Sequence, residues 1–287
     1  MKVLVLGAKG NLGQELVRAF AEAGHEVVGT DQGTLDATNE AAVVSVLDEG
    51  KFGCVLNAVA YNNVDGAEDP VNQALCWRLN AEVPGMLARL AKDRGIVIVH
   101  YSTDYVFAGT RPEGYVETDV PDAISEYGRS KAAGEKAVLD TGGEHYVVRT
   151  SRIFGPAGIS EVSKPSFVAM MMKLAKTEPE LSIVNEEVGC PTYTRDLSRA
   201  TVALVEDYDP GVYHLVNEGP GVNWLEFAEA IFAASGITTP RKGVPSSAFP
   251  VKAKRPAYAA LLNTLGPKLR PRDQAIRDFL KEYPDGR

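Results

Sequence analysis

The sequence predicts an α/β fold: a doubly wound parallel sheet with a smaller lobe interleaved into it. Three observations indicate this class. Short β-branched runs alternate with helix-length segments through the first 150 residues. Each run has consecutive apolar residues at its centre, as is typical of strands buried on both faces. A glycine-rich turn joins the first run to the first helical segment.

The predicted elements follow one another in strict alternation. Strands are predicted at residues 2–7, 25–30, 54–60, 95–102 and 145–150, and helices at 12–23, 39–49, 70–94 and 126–140. Right-handed crossovers place helices on both faces of such a sheet and bring ligands to the carboxyl ends of its strands. We therefore predict one folded unit over residues 1–150.

The regular alternation ends after Thr150. A stretch rich in Gly, Pro and Ser, residues 154–166, leads into further short strands and helices. We predict that residues 151–287 form most of the smaller lobe, and that the chain rejoins the first unit over about residues 186–218. This lobe is expected to bind the substrate.

Composition excludes several classes of protein. The chain carries 30 Lys and Arg against 38 Asp and Glu, a net charge of −8, so a nucleic-acid partner is not expected. The three cysteines, Cys54, Cys76 and Cys190, form no C-x-x-C pair, which fits a reducing compartment and no zinc site. The apolar run before Gly7 is only four residues long, Val3 to Leu6, too short for a signal peptide or membrane span. We expect a cytoplasmic protein with no membrane partner.

The stretch GAKGNLG follows the first predicted strand and opens the first helix. In this setting Gly7 permits a tight turn and Gly10 lets the backbone approach a pyrophosphate. The helix N-terminus at Asn11 and Leu12 offers free N–H groups and the positive end of the helix dipole. The stretch predicts a Rossmann-type unit that binds a nicotinamide dinucleotide.

Two residues give opposite indications about which dinucleotide is bound. Asp31, at the end of the second strand, can accept hydrogen bonds from a ribose and repels a 2′-phosphate, which favours NADH. Lys9, inside the glycine loop, can attract that phosphate, which favours NADPH. Asp36 is a further candidate contact. The choice between NADH and NADPH stays open, and Asp31 can alternatively be a turn former before Gly33.

Tyr127 and Lys131 lie four residues apart in the predicted helix 126–140, so they project from one face. A lysine ammonium near a phenol lowers the pKa of the phenol. Such a tyrosine can protonate a ketone oxygen while hydride arrives from the cofactor. The fourth strand ends with the hydroxyls of Ser102 and Thr103. The residues predict a ketone reductase; the alternative is an ordinary solvated helix face.

The motifs GAKGNLG, STDYVF and YGRSK together resemble an extended short-chain dehydrogenase/reductase. Further segments match the dTDP-4-dehydrorhamnose reductase family in order and spacing over nearly the whole chain: AYNNVDGAED, RTSRIFG, VGCPTYTRDL, GVYHLVNEG, NWLEFAEAI and SSAFPVKAKRP. The resemblance implies NAD(P)H-dependent reduction of the 4-keto group of a nucleotide-diphosphate deoxysugar, first of all dTDP-4-dehydro-L-rhamnose to dTDP-L-rhamnose.

The resemblance also assigns roles to residues. The catalytic residues would be Thr103, Tyr127 and Lys131, and the last two would also contact the cofactor. The segment along the cofactor would be Ala58, Val59 and Ala60. The substrate contacts would be Asn62, Val64, Thr103, Asp104, Arg152 and Arg255, with Arg255 near the diphosphate.

A metal ion and a partner subunit are expectations from the resemblance alone. Some family members use Mg²⁺ at a dimer contact, where Glu186 and Glu187 would lie. Adjacent carboxylates are usually only solvated, so we assign no metal site. The resemblance leaves a homodimer open.

The departures from the family pattern cluster at the expected substrate contacts. Asn62 stands where a threonine is usual, Arg152 replaces a tryptophan, and the serine usual after "RP" is absent. A reductase or epimerase of a different nucleotide sugar therefore stays open. So does a non-catalytic regulatory subunit similar to the beta subunit of methionine adenosyltransferase.

Other prominent residues are predicted to be structural. The run Met170 to Met172 and Trp224 fit apolar helix faces. His100 and His214 lie in apolar strand runs and are predicted to be core residues.

Overall fold

The computed structural model describes residues 1–160, 163 and 165–286. The strands are β1 (Lys2–Leu6), β2 (Glu26–Thr30), β3 (Cys54–Asn57), β4 (Val97–Thr103), β5 (His145–Thr150), β6 (Ile153–Phe154), β7 (Leu181–Val184), β8 (Thr192–Tyr193), β9 (Gly211–His214) and β10 (Arg241–Val244). The helices are α1 (Asn11–Glu22), α2 (Glu40–Gly50), α3 (Val64–Ala67), α4 (Pro70–Trp77), α5 (Val83–Lys92), α6 (Glu126–Leu139), α7 (Phe167–Thr177), α8 (Thr194–Asp207), α9 (Trp224–Ser235) and α10 (Arg272–Glu282). A π-helical turn spans Arg78–Glu82, and 3₁₀ turns span Asp104–Val106 and Ser246–Ala248.

The main sheet is six-stranded and parallel, in the order β2-β1-β3-β4-β5-β9. Strands β1, β3, β4 and β5 are almost wholly buried because both of their faces are covered, whereas the edge strands β2 and β9 are partly exposed. Val3 and Val5 of β1 pack in one core with Leu16 of α1, while Leu4 and Leu6 pack on the other face in a core with α2 and α5. Successive side chains of a strand alternate faces, so each strand supplies both cores. The predicted doubly wound Rossmann-type fold is confirmed.

The strand order fixes where ligands can bind. From β1 the chain continues to β2 on one side and then crosses to β3 on the other side. The segments that follow β1 and β3 therefore leave the sheet in opposite directions and open a crevice at its carboxyl edge. The glycine loop follows β1 at this edge, and residues 58–63 follow β3.

One predicted helix is interrupted. Residues 70–94 were expected as a single helix, but a π turn separates α4 from α5. Pro84 in the first turn of α5 has no N–H to bond the preceding turn, and a wider turn accommodates it. The π turn also lies against α6: a Cβ on Gly134 would overlap the carbonyl oxygen of Asn80.

The second half of the chain divides between the main sheet and a separate core. Strand β9 pairs with β5, and α8 packs on α1. The pairs β6–β8 and β7–β10 form two small sheets beside a core of α7, α9 and α10. Met171 and Met172 are buried in that core, whereas Met170 is exposed. The division between residues 1–150 and 151–287 stays a prediction, and Glu161, Val162 and Lys164 of the predicted linker lie outside the described residues.

Across the described part of the chain, none of the helices combines the length and apolarity needed to cross a membrane.

Candidate active site

The glycine loop brings three backbone segments close together. Gly7 has a φ of +79°, in the left-handed region that favours glycine. A Cβ on Gly7 would lie 3.1 Å from the carbonyl of Ala58, and a Cβ on Gly13 would overlap the carbonyl oxygen of Gly7. Gly10 caps α1 without a side-chain hydrogen bond. The N-terminus of α1 is therefore open to a ligand at the crevice.

Residues 156–160 run beside this N-terminus. Asn11 donates its Nδ2–H to the carbonyl of Pro156, and Ile159 donates its backbone N–H to the carbonyl of Lys9 at 2.9 Å. Asn11 Oδ1 is buried and has no hydrogen-bond partner within the described residues. An orphaned acceptor beside a glycine cradle fits a ligand with hydroxyl groups that can donate to it. The side chain of Leu12 instead packs in the core, so Leu12 can offer a ligand only its backbone.

A cavity of about 770 Å³ opens at the carboxyl edge of the sheet. Ten of the residues predicted to bind cofactor or substrate line it: Gly7, Gly10, Asn11, Asp31, Asp36, Ala58, Val59, Ala60, Asn62 and Arg152. Its volume is within the range of small-molecule and cofactor sites. The glycine loop, the orphaned amide oxygen and the cavity together fit a dinucleotide.

Asp31 is the turn former that the sequence left as an alternative, and its contact with a ribose stays a prediction. Its Oδ1 accepts from the N–H groups of Gly33 and Thr34, at 2.9 and 3.1 Å, so it forms the turn after β2. Its Oδ2 forms an ion pair with Lys9. The hydrogen bond from Lys9, with those from the two N–H groups, holds the pKa of Asp31 below its usual value. The cavity therefore has a carboxylate and an ammonium at one point.

Asp36 lies farther along the same wall. Its Oδ1 accepts from the backbone N–H of Thr38 at 2.9 Å and from the Thr38 hydroxyl at 2.8 Å. These bonds lower the pKa of Asp36. The carboxylate therefore stabilises its own turn and stays ionised beside the cavity.

Thr103 and Tyr127 meet at the carboxyl end of β4 and do not line the cavity. Thr103 is the last residue of β4, and Tyr127 lies in the first turn of α6, where Ser125 caps the N–H of Gly128 at 3.1 Å. The Thr103 side chain lies close enough to the Tyr127 phenol to lower its pKa. Thr103 Oγ1 also lies 3.0 Å from Asp104 Oδ1. A strand end and a helix start thus hold two hydroxyls together.

Lys131 is 2 % exposed and lies one turn after Tyr127. Its Nζ donates to the carbonyl of Tyr101 at 2.6 Å and lies 3.5 Å from His100 Nε2. Burial lowers the pKa of Lys131 to about 8.

The expected effect of Lys131 on Tyr127 is not found. Burial raises the pKa of the Tyr127 phenol, and the Thr103 side chain offsets only part of the rise. The reason is geometric, since the amine of Lys131 is directed to the backbone of β4. The sequence placed both residues on one helix face but could not show which acceptor the long lysine side chain would reach.

Asp104 is buried beneath the same hydroxyls. Ser151 donates to its Oδ2 at 2.5 Å, and the Ser151 oxygen accepts the backbone N–H of Cys190 at 3.0 Å. Burial raises the pKa of Asp104. Asp104 therefore anchors Thr103 and Ser151, and it does not line the cavity.

Arg152 is held by backbone and by an aromatic ring. It has a φ of +46°, uncommon for a residue with a side chain. Its Nη1 donates to the carbonyl of Val222 at 2.9 Å and its Nη2 to the carbonyl of Glu187 at 2.7 Å. The guanidinium lies 3.8 Å above the ring of Trp224. Two donors are thus committed to protein carbonyls, although the side chain still lines the cavity.

Trp224 is a cavity residue that the sequence reasoning assigned to an apolar helix face. It lines the cavity, packs on Phe167 at 4.7 Å between ring centres, and donates its Nε1–H to Glu187 Oε2 at 2.9 Å. The sequence around Trp224, directly after the N-cap of α9, does not indicate a cavity residue, because its partner Arg152 lies 72 residues earlier in the chain.

Arg255 and Val64 lie outside the cavity lining. Arg255 donates to Asp65 Oδ2 at 2.8 Å and to the Tyr105 hydroxyl at 3.1 Å. Val64 begins α3, next to Asp65. The Tyr105 ring packs edge-on to Tyr127, with 5.7 Å between centres. Arg255 is therefore connected to the Tyr127 region through Tyr105.

The two carboxylates considered for a metal ion have protein partners. Glu186 Oε2 accepts the backbone N–H of Ser246 at 2.8 Å, and Glu187 Oε1 lies 3.2 Å from the Ser246 hydroxyl. Within the described residues, no group of three or more His, Cys, Asp or Glu side chains is arranged to hold a metal ion.

Comparisons with known proteins agree with this geometry. The family described as RmlD substrate binding domain matches residues 1–283. The spore coat polysaccharide biosynthesis protein SpsK of Bacillus subtilis is 35% identical, over 98% of this chain and 97% of its own length. A dTDP-4-dehydrorhamnose reductase of Burkholderia thailandensis is 36% identical, over 92% of this chain and 91% of its own.

A solved structure shares the fold closely. The crystal structure of dTDP-4-dehydrorhamnose reductase from Bacillus anthracis, in complex with NADP, is 31% identical and has a TM-score of 0.91, covering 98% of this chain and 99% of that one. Fold, sequence and site geometry lead to one conclusion: the chain belongs to the RmlD substrate binding domain family, among the dTDP-4-dehydrorhamnose reductases.

Proposed function

We propose that this protein is an NAD(P)H-dependent oxidoreductase that reduces the 4-keto group of a nucleotide-diphosphate deoxysugar, converting dTDP-4-dehydro-L-rhamnose to dTDP-L-rhamnose. The observation that carries the proposal is the pairing of Thr103 with the Tyr127 phenol at the carboxyl edge of the sheet, the edge at which the glycine loop and the cavity also lie. The homologous reductases from Burkholderia and Bacillus support the substrate.

Reduction of a ketone needs a hydride for the carbon and a proton for the oxygen. When bound, the reduced nicotinamide supplies the hydride. Tyr127 supplies the proton, and its raised pKa keeps the phenol protonated at neutral pH. Thr103 orients the phenol. Lys131 carries the positive charge to which the family resemblance assigns stabilisation of the phenolate, although its amine is directed to the Tyr101 carbonyl in this structure.

Residues of the cavity wall would hold the cofactor. Gly7, Gly10 and Asn11 accommodate the pyrophosphate at the N-terminus of α1. Asp31 accepts hydrogen bonds from the adenosine ribose. Because Lys9 neutralises Asp31, a 2′-phosphate meets less repulsion than it would at an unpaired carboxylate. We therefore propose that both NADH and NADPH are accepted.

Two other functions are less well supported. A regulatory subunit would not need Thr103, Tyr127 and Lys131, yet all three are present, and Thr103 lies beside the Tyr127 phenol. Action on a different nucleotide sugar would follow from the replaced cavity residues Asn62 and Arg152, so the substrate panel below includes other bases.

The test is a cofactor-oxidation assay. Oxidation of NADH and of NADPH is followed with dTDP-, UDP- and GDP-linked 4-keto-6-deoxysugars, including dTDP-4-dehydro-L-rhamnose. We expect the dTDP-linked substrate to be turned over with either cofactor. If every sugar in the panel leaves both cofactors unoxidised while NADPH still binds, the reductase assignment is wrong.

A further inference from the structure

The buried core below Lys131 contains an imidazole that the proposed mechanism does not use. His100, on β4, is fully buried, and its Nε2 lies 3.5 Å from Lys131 Nζ. Its Nδ1 lies 3.2 Å from Asn57 Nδ2. Helix α6 can come this near because Gly134 has no side chain: a Cβ there would lie 3.3 Å from His100 Nε2. The contact is therefore part of the packing of α6 on the sheet.

The neighbours of His100 fix which ring nitrogen carries the proton. Asn57 Oδ1 accepts the backbone N–H of Val59 at 3.2 Å. The other amide atom, Nδ2, therefore faces the imidazole, and because it can only donate, His100 Nδ1 must accept. Burial, with the nearby Lys131 charge, lowers the pKa of His100 well below its usual value, so the ring is neutral. Its one proton lies on Nε2, directed at Lys131.

This arrangement has a consequence for the lysine. An N–H directed at an amine is accepted by the lone pair of the neutral form, whereas an ammonium has no lone pair to offer. We propose that His100, in the tautomer fixed by Asn57, is a positioning residue that opposes the charged form of Lys131 and so sets the pH range in which Lys131 assists Tyr127. The inference rests on the proposed function, in which Lys131 stabilises the phenolate.

The other groups around Lys131 are limited in number. On α6, Glu135 favours the ammonium, but its carboxylate is shared with Arg149 of β5 at 2.7 Å. On α4, burial raises the pKa of the Cys76 thiol, which stays neutral, and Tyr127 on α6 is neutral for the same reason. On β4, the Tyr101 carbonyl accepts from Lys131 and favours the ammonium. His100 is thus the neighbour that acts against the charge by its hydrogen-bond geometry.

The test measures the titration of Lys131 directly. In protein labelled with ¹⁵N-lysine, the Nζ resonance of Lys131 is identified by its loss in Lys131→Met and followed with pH. His100→Asn keeps a carbonyl oxygen for Asn57 and removes the N–H that faces Lys131. We expect its Lys131 pKa to rise by about one unit. The alkaline limb of kcat for sugar-nucleotide reduction should move upward by the same amount.

A second variant changes the tautomer and keeps the ring. In Asn57→Asp the carboxylate accepts a hydrogen bond from Nδ1–H and so favours the tautomer with its proton on Nδ1. Nε2 is then an acceptor for the ammonium, and the Lys131 pKa should again rise. His145→Gln is the matched control, because His145 is a buried imidazole at the start of β5 whose pKa is lowered by burial and by the Lys92 charge and not by Lys131. It should leave the Lys131 titration unchanged.

The outcomes separate the two proposals. An unchanged Lys131 titration in folded His100→Asn overturns this inference, whatever Asn57→Asp does. If Asn57→Asp does not fold, His100→Asn decides alone, with His100→Gln as a second replacement that offers Lys131 an acceptor. Full keto-reductase activity in Tyr127→Phe would instead refute the proposed function, while the titration of Lys131 could still shift as expected.

Discussion

At the scale of single residues, the chemistry depends on which hydroxyl gives up a proton. Thr103 and Tyr127 lie together, but the phenol is the only titratable group of the two, so Tyr127 is the proposed proton donor. Tyr127→Phe removes the proton and keeps the ring. We expect reduction to fall on the order of 10²–10⁴-fold, with cofactor affinity nearly unchanged.

Steady-state kinetics and calorimetric titration with NADPH measure the two effects. Tyr146→Phe is the control: it removes another buried phenol, which bonds the Tyr208 carbonyl at 2.7 Å from the middle of β5, and should leave the rate unchanged. Lys131→Met should differ from Tyr127→Phe by weakening both the rate and cofactor affinity. An unimpaired Tyr127→Phe would place the proton donor elsewhere.

Arg152 gives a second prediction at this scale. Its guanidinium donates to two backbone carbonyls and stacks on Trp224. A lysine keeps the charge but cannot make all three contacts at once. Arg152→Lys should lose about 1–3 kcal/mol of the free energy of unfolding, measured by urea denaturation. Equal stability of the two proteins would show that the fork is not needed.

Arg152 also bears on substrate preference. If the cation disfavours the usual sugar, Arg152→Trp should raise kcat/KM for dTDP-4-dehydro-L-rhamnose relative to the parent. Equal turnover by both proteins would exclude Arg152 as the discriminating residue, and its role would be to hold residues 187 and 222.

At the scale of elements, the glycine loop is the most constrained part of the site. A Cβ on Gly10 would lie 3.2 Å from the carbonyl oxygen of Gly7, and a branched side chain would occupy the open N-terminus of α1. Gly10→Val should abolish binding of NADH and NADPH in calorimetry. Gly53→Ala, whose Cβ would meet Met1 at an ordinary 3.4 Å, should bind normally. Unchanged affinity in Gly10→Val would rule out this placement of the pyrophosphate.

The elements also show what sequence can and cannot predict. The first-half strands were predicted correctly because continuous apolar runs identify strands buried on both faces. The π turn at Arg78–Glu82 was missed, since it depends on how α5 and α6 pack. The direction of Lys131 was missed for a similar reason: its acceptor, the Tyr101 carbonyl, belongs to another element.

At the scale of the whole molecule, the cavity combines segments far apart in sequence. Its walls come from the glycine loop, from residues after β2 and β3, and from Arg152, Phe167 and Trp224. The motifs predicted the first three segments, because each follows a strand of the parallel sheet. The pair of Arg255 and Asp65 spans 190 residues and joins the second half of the chain to α3. No local pattern indicates such pairs, and only the resemblance to a family placed Arg255 near the site.

The stability of the whole fold should depend on pH through its buried histidines. His214 on β9 donates from Nδ1 to the carbonyl of Leu262 at 3.1 Å, and its Nε2 lies 3.5 Å from Arg149 Nη1. Burial, with the Arg149 charge, lowers the pKa of His214 to about 4. Between about pH 6.5 and 4 the unfolded chain therefore binds a proton that the folded protein does not, so acidification favours unfolding.

We expect the free energy of unfolding to fall by on the order of 1 kcal/mol per pH unit from this histidine as pH drops from 6 to 5. His214→Asn keeps a donor for Leu262 and removes the titrating ring. It should be less stable than the parent at pH 7, because a cavity replaces part of the ring, yet lose less stability on acidification. Urea unfolding of both proteins at pH 7, 6 and 5 measures the two slopes. Parallel slopes would mean that His214 is not the residue responsible, and the buried His100, shifted in the same direction, would then be the next to replace.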